Sequence, residues 1–272
     1  MESAVLEKIA AWFDEFPSRW FGPCPAEMPA LAVLKIEHSR RVAAECRSLA
    51  RDLGWVEGDV MLAEAAGLLH DVGRFPQLRR YGTLYDALSA NHGELGWKEI
   101  SKSEIPGMLG DGERDALLDA VLHHNRLKAP SGMPELSSRI LGVVRDADKL
   151  DILDVVRDTV QNRRFGEFPE IFERLDLDGP VNAELIREIL ETRSASYRNA
   201  RSLADFTLLQ LSWIYDMNHA ETLRRYAERG FLDYVRRSLP ADRNVCAVIS
   251  EAERFISGRV GDASPGGPAC CG

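Results

Sequence analysis

Five of the six histidines in this 272-residue chain fall in one ordered series. The series runs His38, His70 beside Asp71, His92, and the pair His123-His124, and it closes on Asp146. Only His219 stands outside it. Neutral imidazole nitrogen suits iron, manganese, zinc, cobalt or nickel, and a carboxylate can bridge two such ions. The chemistry that this donor set offers is the activation of water on a divalent transition metal, which is hydrolysis.

Each residue also has a plainer reading. His38 sits where a leucine would fit on an apolar helix face, the place of a hydrogen-bonded core histidine. His123-His124 at a helix terminus could be a structural pair. Asp146 lies in ILGVVRDADKL, on the side shared with Val143 and Leu150, where a half-buried salt bridge to an arginine would account for it. His70-Asp71 resists this treatment. It ends the very hydrophobic string AGLL, where a carboxylate without a partner costs several kcal/mol. A cation supplies the partner, and together the residues would otherwise mark helix ends and inner faces by accident.

The elements that must position these side chains read as helices. Leu31, Leu34, His38, Val42, Leu49 and Leu53 keep one face apolar, and Gly54 stops that helix. A second helix is expected over Asp59–Asp71, with Asp59 as N-cap and Gly73 as C-terminal cap. Residues 74–90, with Pro76 and Gly82, read as a loop with short turns. Further helices are expected over His92–Lys102, Glu113–His124 and Leu136–Gln161, then Ala183–Glu191, Leu203–Gly230 and Arg243–Ser257. No alternating β run is present. The expected fold is all-α: an N-terminal helix and lead-in (1–29), a metal-binding bundle (30–162), a C-terminal helical extension packed on it (163–257) and a disordered small-residue tail (258–272).

Composition narrows the function. Net charge is -9, which disfavours duplex nucleic acid and membrane surfaces as partners. No apolar run reaches the ~20 residues of a bilayer span, and MESAVLEKIAAWFDEF carries acids where a signal peptide would not. Five cysteines, Cys24, Cys46, Cys246, Cys270 and Cys271, show no framework spacing. A reducing, cytoplasmic location is therefore expected, with Cys270-Cys271 a tail without metal and His219 structural.

The order His, His-Asp, His, His-His, Asp, with Arg41-Val42 after His38 and the strings HDVGRF and RDADKLD, resembles the HD-domain superfamily of metal-dependent phosphohydrolases. The resemblance covers roughly residues 30–160. It implies a compact helical bundle in which His38, His70, Asp71 and Asp146 hold a first ion. Asp71 would bridge to a second ion held also by His92, His123 and His124. The histidine pattern is nearest the HD-GYP cyclic dinucleotide phosphodiesterases. Here, however, the double histidine is followed by Asn125 and no Gly-Tyr-Pro, and Leu34 and Lys149 stand where trinuclear members carry acids. Two ions are therefore expected, of iron, manganese, zinc, nickel or cobalt.

The resemblance implies attack of metal-bound water on a small phosphate ester, with a nucleotide as the expected partner. Besides Asp71, Arg74 is expected to cradle phosphate, because related phosphodiesterases carry a phosphate-contacting lysine there. Lys149, one turn beyond Asp146, is a second candidate cation. Arg79, Arg80, Arg126 and Lys128 could rim the cleft. Two other functions fit the superfamily: a di-iron oxygenase, and a non-catalytic nucleotide-binding module. Oligomeric state is not readable from the sequence.

Overall fold

The computed structural model describes residues 1–261, so Cys270-Cys271 and most of the expected tail lie outside the described residues. Every regular element among them is helical, apart from one isolated bridge between Asp176 and Ser202. The all-α expectation holds. No helix among the described residues is long and apolar enough to cross a membrane. Cys24, Cys46 and Cys246 are free thiols.

The chain divides into two compact units, Met1–Asp151 and the residues from Ile152 onward. The first contains α1 (Ser3–Glu15), α2 (Ser18–Phe21), α3 (Ala30–Asp52), α4 (Glu57–Leu69), α5 (Arg74–Tyr81), α6 (His92–Ser101), α7 (Asp111–His123) and most of α8 (Glu135–Gln161). Helix α4 is its centre and packs against α1, α3 and α7. Its small residues allow this: Ala63, Ala65, Ala66 and Gly67 are buried together with Val60, Leu62, Leu68 and Leu69. At Gly67 the approach of α3 is closest. A Cβ there would lie 2.7 Å from Cys46 Sγ and 3.1 Å from Ala43 Cα.

Three local expectations change. The N-cap of α4 is Val56, not Asp59, which instead adds its charge to the first turn beside Glu57. Residues 74–81 are the helix α5, not a loop. Pro76 is admitted because it falls in the first turn, where a backbone N–H has no helical acceptor anyway. Gly73 has φ -65°, so it is not a left-handed cap. It is needed for space: a Cβ there would stand 1.9 Å from the carbonyl oxygen of His92 and 2.5 Å from Gly96 N. The glycine lets the start of α5 press against α6.

The second unit carries α9 (Pro169–Phe172), α10 (Ala183–Thr192), α11 (Leu203–Ser212), α12 (Ala220–Glu228), α13 (Phe231–Ser238) and α14 (Arg243–Val260). The single helix expected over 203–230 is three pieces. A 3-10 turn, Trp213–Asp216, and extended backbone at Met217 and His219 separate α11 from α12. Helix α14 runs on to Val260, into the first residues of the expected tail. Ser202 and Asp205 cap α11 reciprocally: Ser202 Oγ accepts from Asp205 N at 3.0 Å, and Asp205 Oδ2 accepts from Ser202 N at 3.1 Å.

A candidate metal centre in the first unit

Four helices supply the side chains gathered around Asp71. His38 comes from the middle of α3, His70 and Asp71 from the end of α4, His92 from the first position of α6, and His124 from the end of α7. All are buried, with side-chain exposure of 5% or less. The two oxygens of Asp71 face two imidazole pairs. Oδ2 lies 3.6 Å from His38 Nε2 and 3.7 Å from His70 Nε2. Oδ1 lies 3.3 Å from His92 Nε2 and 3.6 Å from His124 Nε2. Within the pairs, the Nε2 atoms are 3.3 Å apart for His38 and His70, and 2.9 Å apart for His92 and His124.

The tautomers follow from what each Nδ1 meets. His38 Nδ1 donates to Asp151 Oδ2 at 2.7 Å, and His70 Nδ1 to the Gly67 carbonyl at 2.7 Å. His92 Nδ1 donates to Asp86 Oδ2 at 2.7 Å, and His124 Nδ1 to the Val121 carbonyl at 2.9 Å. Carboxylates and carbonyls only accept, so each Nδ1 carries the proton and each neutral ring turns an Nε2 lone pair inward. Lone pairs facing lone pairs and carboxylate oxygens repel unless a cation stands among them. The donor set therefore fits a metal, and the Nδ1 partners are those that orient metal-bound imidazole.

On α8 the carboxylate that joins this set is Asp148, not Asp146. Asp148 Oδ1 lies 3.1 Å from His38 Nε2 and 3.6 Å from His70 Nε2. Asp146 is fully buried, but two residues of helix turn it about 200° away. Asp151, one turn beyond Asp148, is on the cluster's face and also accepts from Arg41 Nε at 2.6 Å. His38, His70 and Asp148 each offer a ligand atom within 4.8 Å of the others, as do His70, Asp71 and His124. His123 joins neither group. It is one residue, about 100°, from His124, and its buried Nδ1 meets no hydrogen-bond partner among the described residues.

The cations also differ from expectation. Lys149 Nζ donates to the Arg145 carbonyl of its own helix at 3.5 Å. The lysine that reaches the centre is Lys35, whose Nζ lies 2.7 Å from Asp71 Oδ2. It precedes His38 by three residues, so helix spacing alone puts the two on one face. Arg74 does reach Asp71, with Nε 3.3 Å from Oδ1, but its Nη1 is committed to Asp86 at 3.1 Å, Gln77 at 3.0 Å and the Leu84 carbonyl. The guanidinium braces the carboxylates in place. Asp86 is the hub of that brace: besides His92 and Arg74 it accepts from Gln77 Nε2 at 2.8 Å and Asn125 Nδ2 at 3.1 Å. No periodicity marks Asp86, which lies in the short 3-10 turn between α5 and α6.

Charge balance is consistent with this arrangement. Burial opposes ionisation of Asp71, yet Lys35, His70, Arg74 and His124 outweigh it and hold the carboxyl well below its ordinary range. Burial is likewise overcome at Asp148 by His38 and His70. His70 is held above its usual pKa: burial pulls it down, and Asp71 and Asp148 pull harder the other way. His92 goes the opposite way, pressed by burial and then by Arg74 to about 3. His124 is lowered, chiefly by burial. At neutral pH the second pair is thus neutral on both rings, and no proton relieves its facing lone pairs. The cluster opens toward Lys35, Arg74 and Asp148, which keep 18%, 17% and 20% of their side-chain surface accessible.

Residues 36–153 match the family model of the HD domain. This stretch of the chain is an HD domain. The matched segment contains every residue of the cluster, from His38 to Asp151, and HD domains are mostly, though not all, metal-dependent hydrolases. No curated protein and no solved structure matches the chain.

Proposed function

We propose that the HD domain is a metal-dependent phosphohydrolase acting on a small phosphate ester, with a nucleotide as the leading substrate class. The observation that carries this reading is the division of Asp71 between two imidazole pairs, with Lys35 and Arg74 on the same carboxylate. Asp71 is the residue suited to bridge. His38, His70 and Asp148 would hold one ion, and His92 and His124 a second. When bound, such ions polarise phosphoryl oxygens and acidify water enough to make it a nucleophile near neutral pH.

The chain's own residues do the rest. Asp151, Gly67, Asp86 and Val121 fix each imidazole's tautomer and keep its Nε2 available as a ligand atom. Arg74 keeps Asp71 and Asp86 ionised and oriented. Lys35, partly accessible at the open side, can trade its contact with Asp71 for a non-bridging phosphate oxygen and so help orient the ester for in-line attack. No serine or cysteine nucleophile is required.

The test is elemental analysis of purified protein followed by a metal-reconstituted screen of phosphomonoesters and phosphodiesters, nucleotides included. Bound divalent metal and ester cleavage that vanishes in Asp71→Ala support the reading. Metal-replete protein that cleaves none of them overturns it. Turnover with redox-inert zinc also separates hydrolysis from an iron-based oxygenase using the same ligands.

A further inference from the structure

A cavity of about 700 Å³ lies beside α2, lined by Trp20, Phe21, Pro29, Leu78, Arg79 and Glu27. None of these side chains takes part in the metal centre. Two helices nevertheless connect the two places. Pro29 caps the start of α3 and lines the cavity, while Lys35 of the same helix touches Asp71. Arg74 at the start of α5 touches Asp71, and Leu78, four residues on, lines the cavity. At 1.5 Å per residue these steps are about 9 Å along α3 and about 6 Å along α5. Helical side chains lean toward the N-terminus, so Lys35 leans toward the cavity and Leu78 leans back toward the centre.

The walls indicate what the cavity would take. Trp20 is held by the edge of Phe16, at a centroid distance of 6.4 Å, and by the Arg80 guanidinium, 5.1 Å from its ring centroid. Its indole Nε1 is buried and has no acceptor among the described residues. Phe21, Pro29 and Leu78 add apolar surface, Glu27 adds an exposed carboxylate, and Arg79 is exposed with no ion pair among the described residues. An aromatic wall, apolar neighbours and a guanidinium at the mouth suit a flat ring that carries acceptors. We infer that this cavity is the subsite for the planar aromatic part of the substrate, a nucleobase or an aryl group, whose phosphate reaches the Asp71 centre. The inference rests on the hydrolase reading only in making that ring part of a phosphate ester.

The experiment uses metal-loaded full-length protein, with Trp20→Ala and Leu78→Trp as variants. The second fills the cavity from α5 and leaves Trp20 on Phe16, in case the first does not fold. Adenosine, which has no phosphate, and ribose are the binding probes, read by calorimetry. Adenosine and phenyl esters are compared with methyl phosphate for cleavage. Adenosine should bind wild type and not the variants, and ribose should bind none. The kcat/KM ratio of adenosine 5′-phosphate to methyl phosphate should fall about tenfold or more, the size of one lost stack. A fall for phenyl phosphate alone assigns an aryl group, and for both esters any flat ring. Adenosine binding that depends on Trp20, without any ester cleavage, keeps the subsite and removes the hydrolase. Ester cleavage with no adenosine binding and unchanged ratios in both variants overturns the subsite and leaves the hydrolase standing.

Discussion

His92 and His124 point their Nε2 atoms at each other across 2.9 Å, with both Nδ1 atoms already donating elsewhere. Neither ring has a proton to offer the other in its neutral form, and burial keeps both neutral. The contact makes physical sense as half of a ligand set.

Replacing the carboxylates of α8 separates the two aspartates. Asp148→Ala should lower metal occupancy and reduce ester cleavage on the order of a hundredfold or more, since it removes a charged group from the cluster. Asp146→Ala should leave the metal-to-protein ratio near that of wild type while lowering Tm, because Asp146 is buried and outside the cluster. Paired elemental analysis and thermal melts decide between them. Equal metal loss in both would contradict the assignment of Asp148.

The orienting carboxylates should matter without touching metal. Asp86→Ala and Asp151→Ala remove the acceptors that hold His92 and His38. Metal affinity should drop about 10–100-fold in each. Competition with a chelating dye measures this, and wild-type affinity in both would refute the tautomer argument.

Protonation of the metal-free protein should be split between the pairs. His92 is depressed to about 3, so the stability it contributes is present above pH 6.5 and is lost as pH falls toward 3. At pH 5 that loss is about 2 kcal/mol, at 1.36 kcal/mol per unit. His70 is raised, so its contribution has the opposite sign: present below 6.5 and lost as pH rises through its folded value. NMR of chelator-treated protein should find His92 neutral at pH 5 and His70 charged at pH 6.5. Urea midpoints of His92→Asn should fall less steeply with acid than those of wild type.

Gly73→Ala should be among the most damaging small substitutions in the chain. Its Cβ would overlap the His92 carbonyl oxygen, forcing α5 from α6 and displacing His92 and Arg74 together. A loss above about 3 kcal/mol is expected, with reduced metal content. Gly107→Ala, where a Cβ meets nothing within 4 Å, is the control. Similar melts for the two would show that the close approach at Gly73 is relaxed in solution.

What the sequence by itself determined was the all-α class, the HD-domain character of residues 36–153 and the gathering of imidazoles around His70-Asp71, because residue type, order and helical period carry those directly. It was blind to which of two neighbours faces inward. Successive helical residues diverge by about 100°, so choosing Asp148 over Asp146 and His124 over His123 requires the absolute rotation of α8 and α7, which packing against their neighbours sets. Tertiary structure also decided the partners that have no periodic signature. Asp86 comes from a turn, and the helix that begins at the already suspected Arg74 was hidden by its proline. Lys35 and Asp151 did carry a signal, three residues from His38 and from Asp148, but only contact across helices turns shared spacing into a shared site.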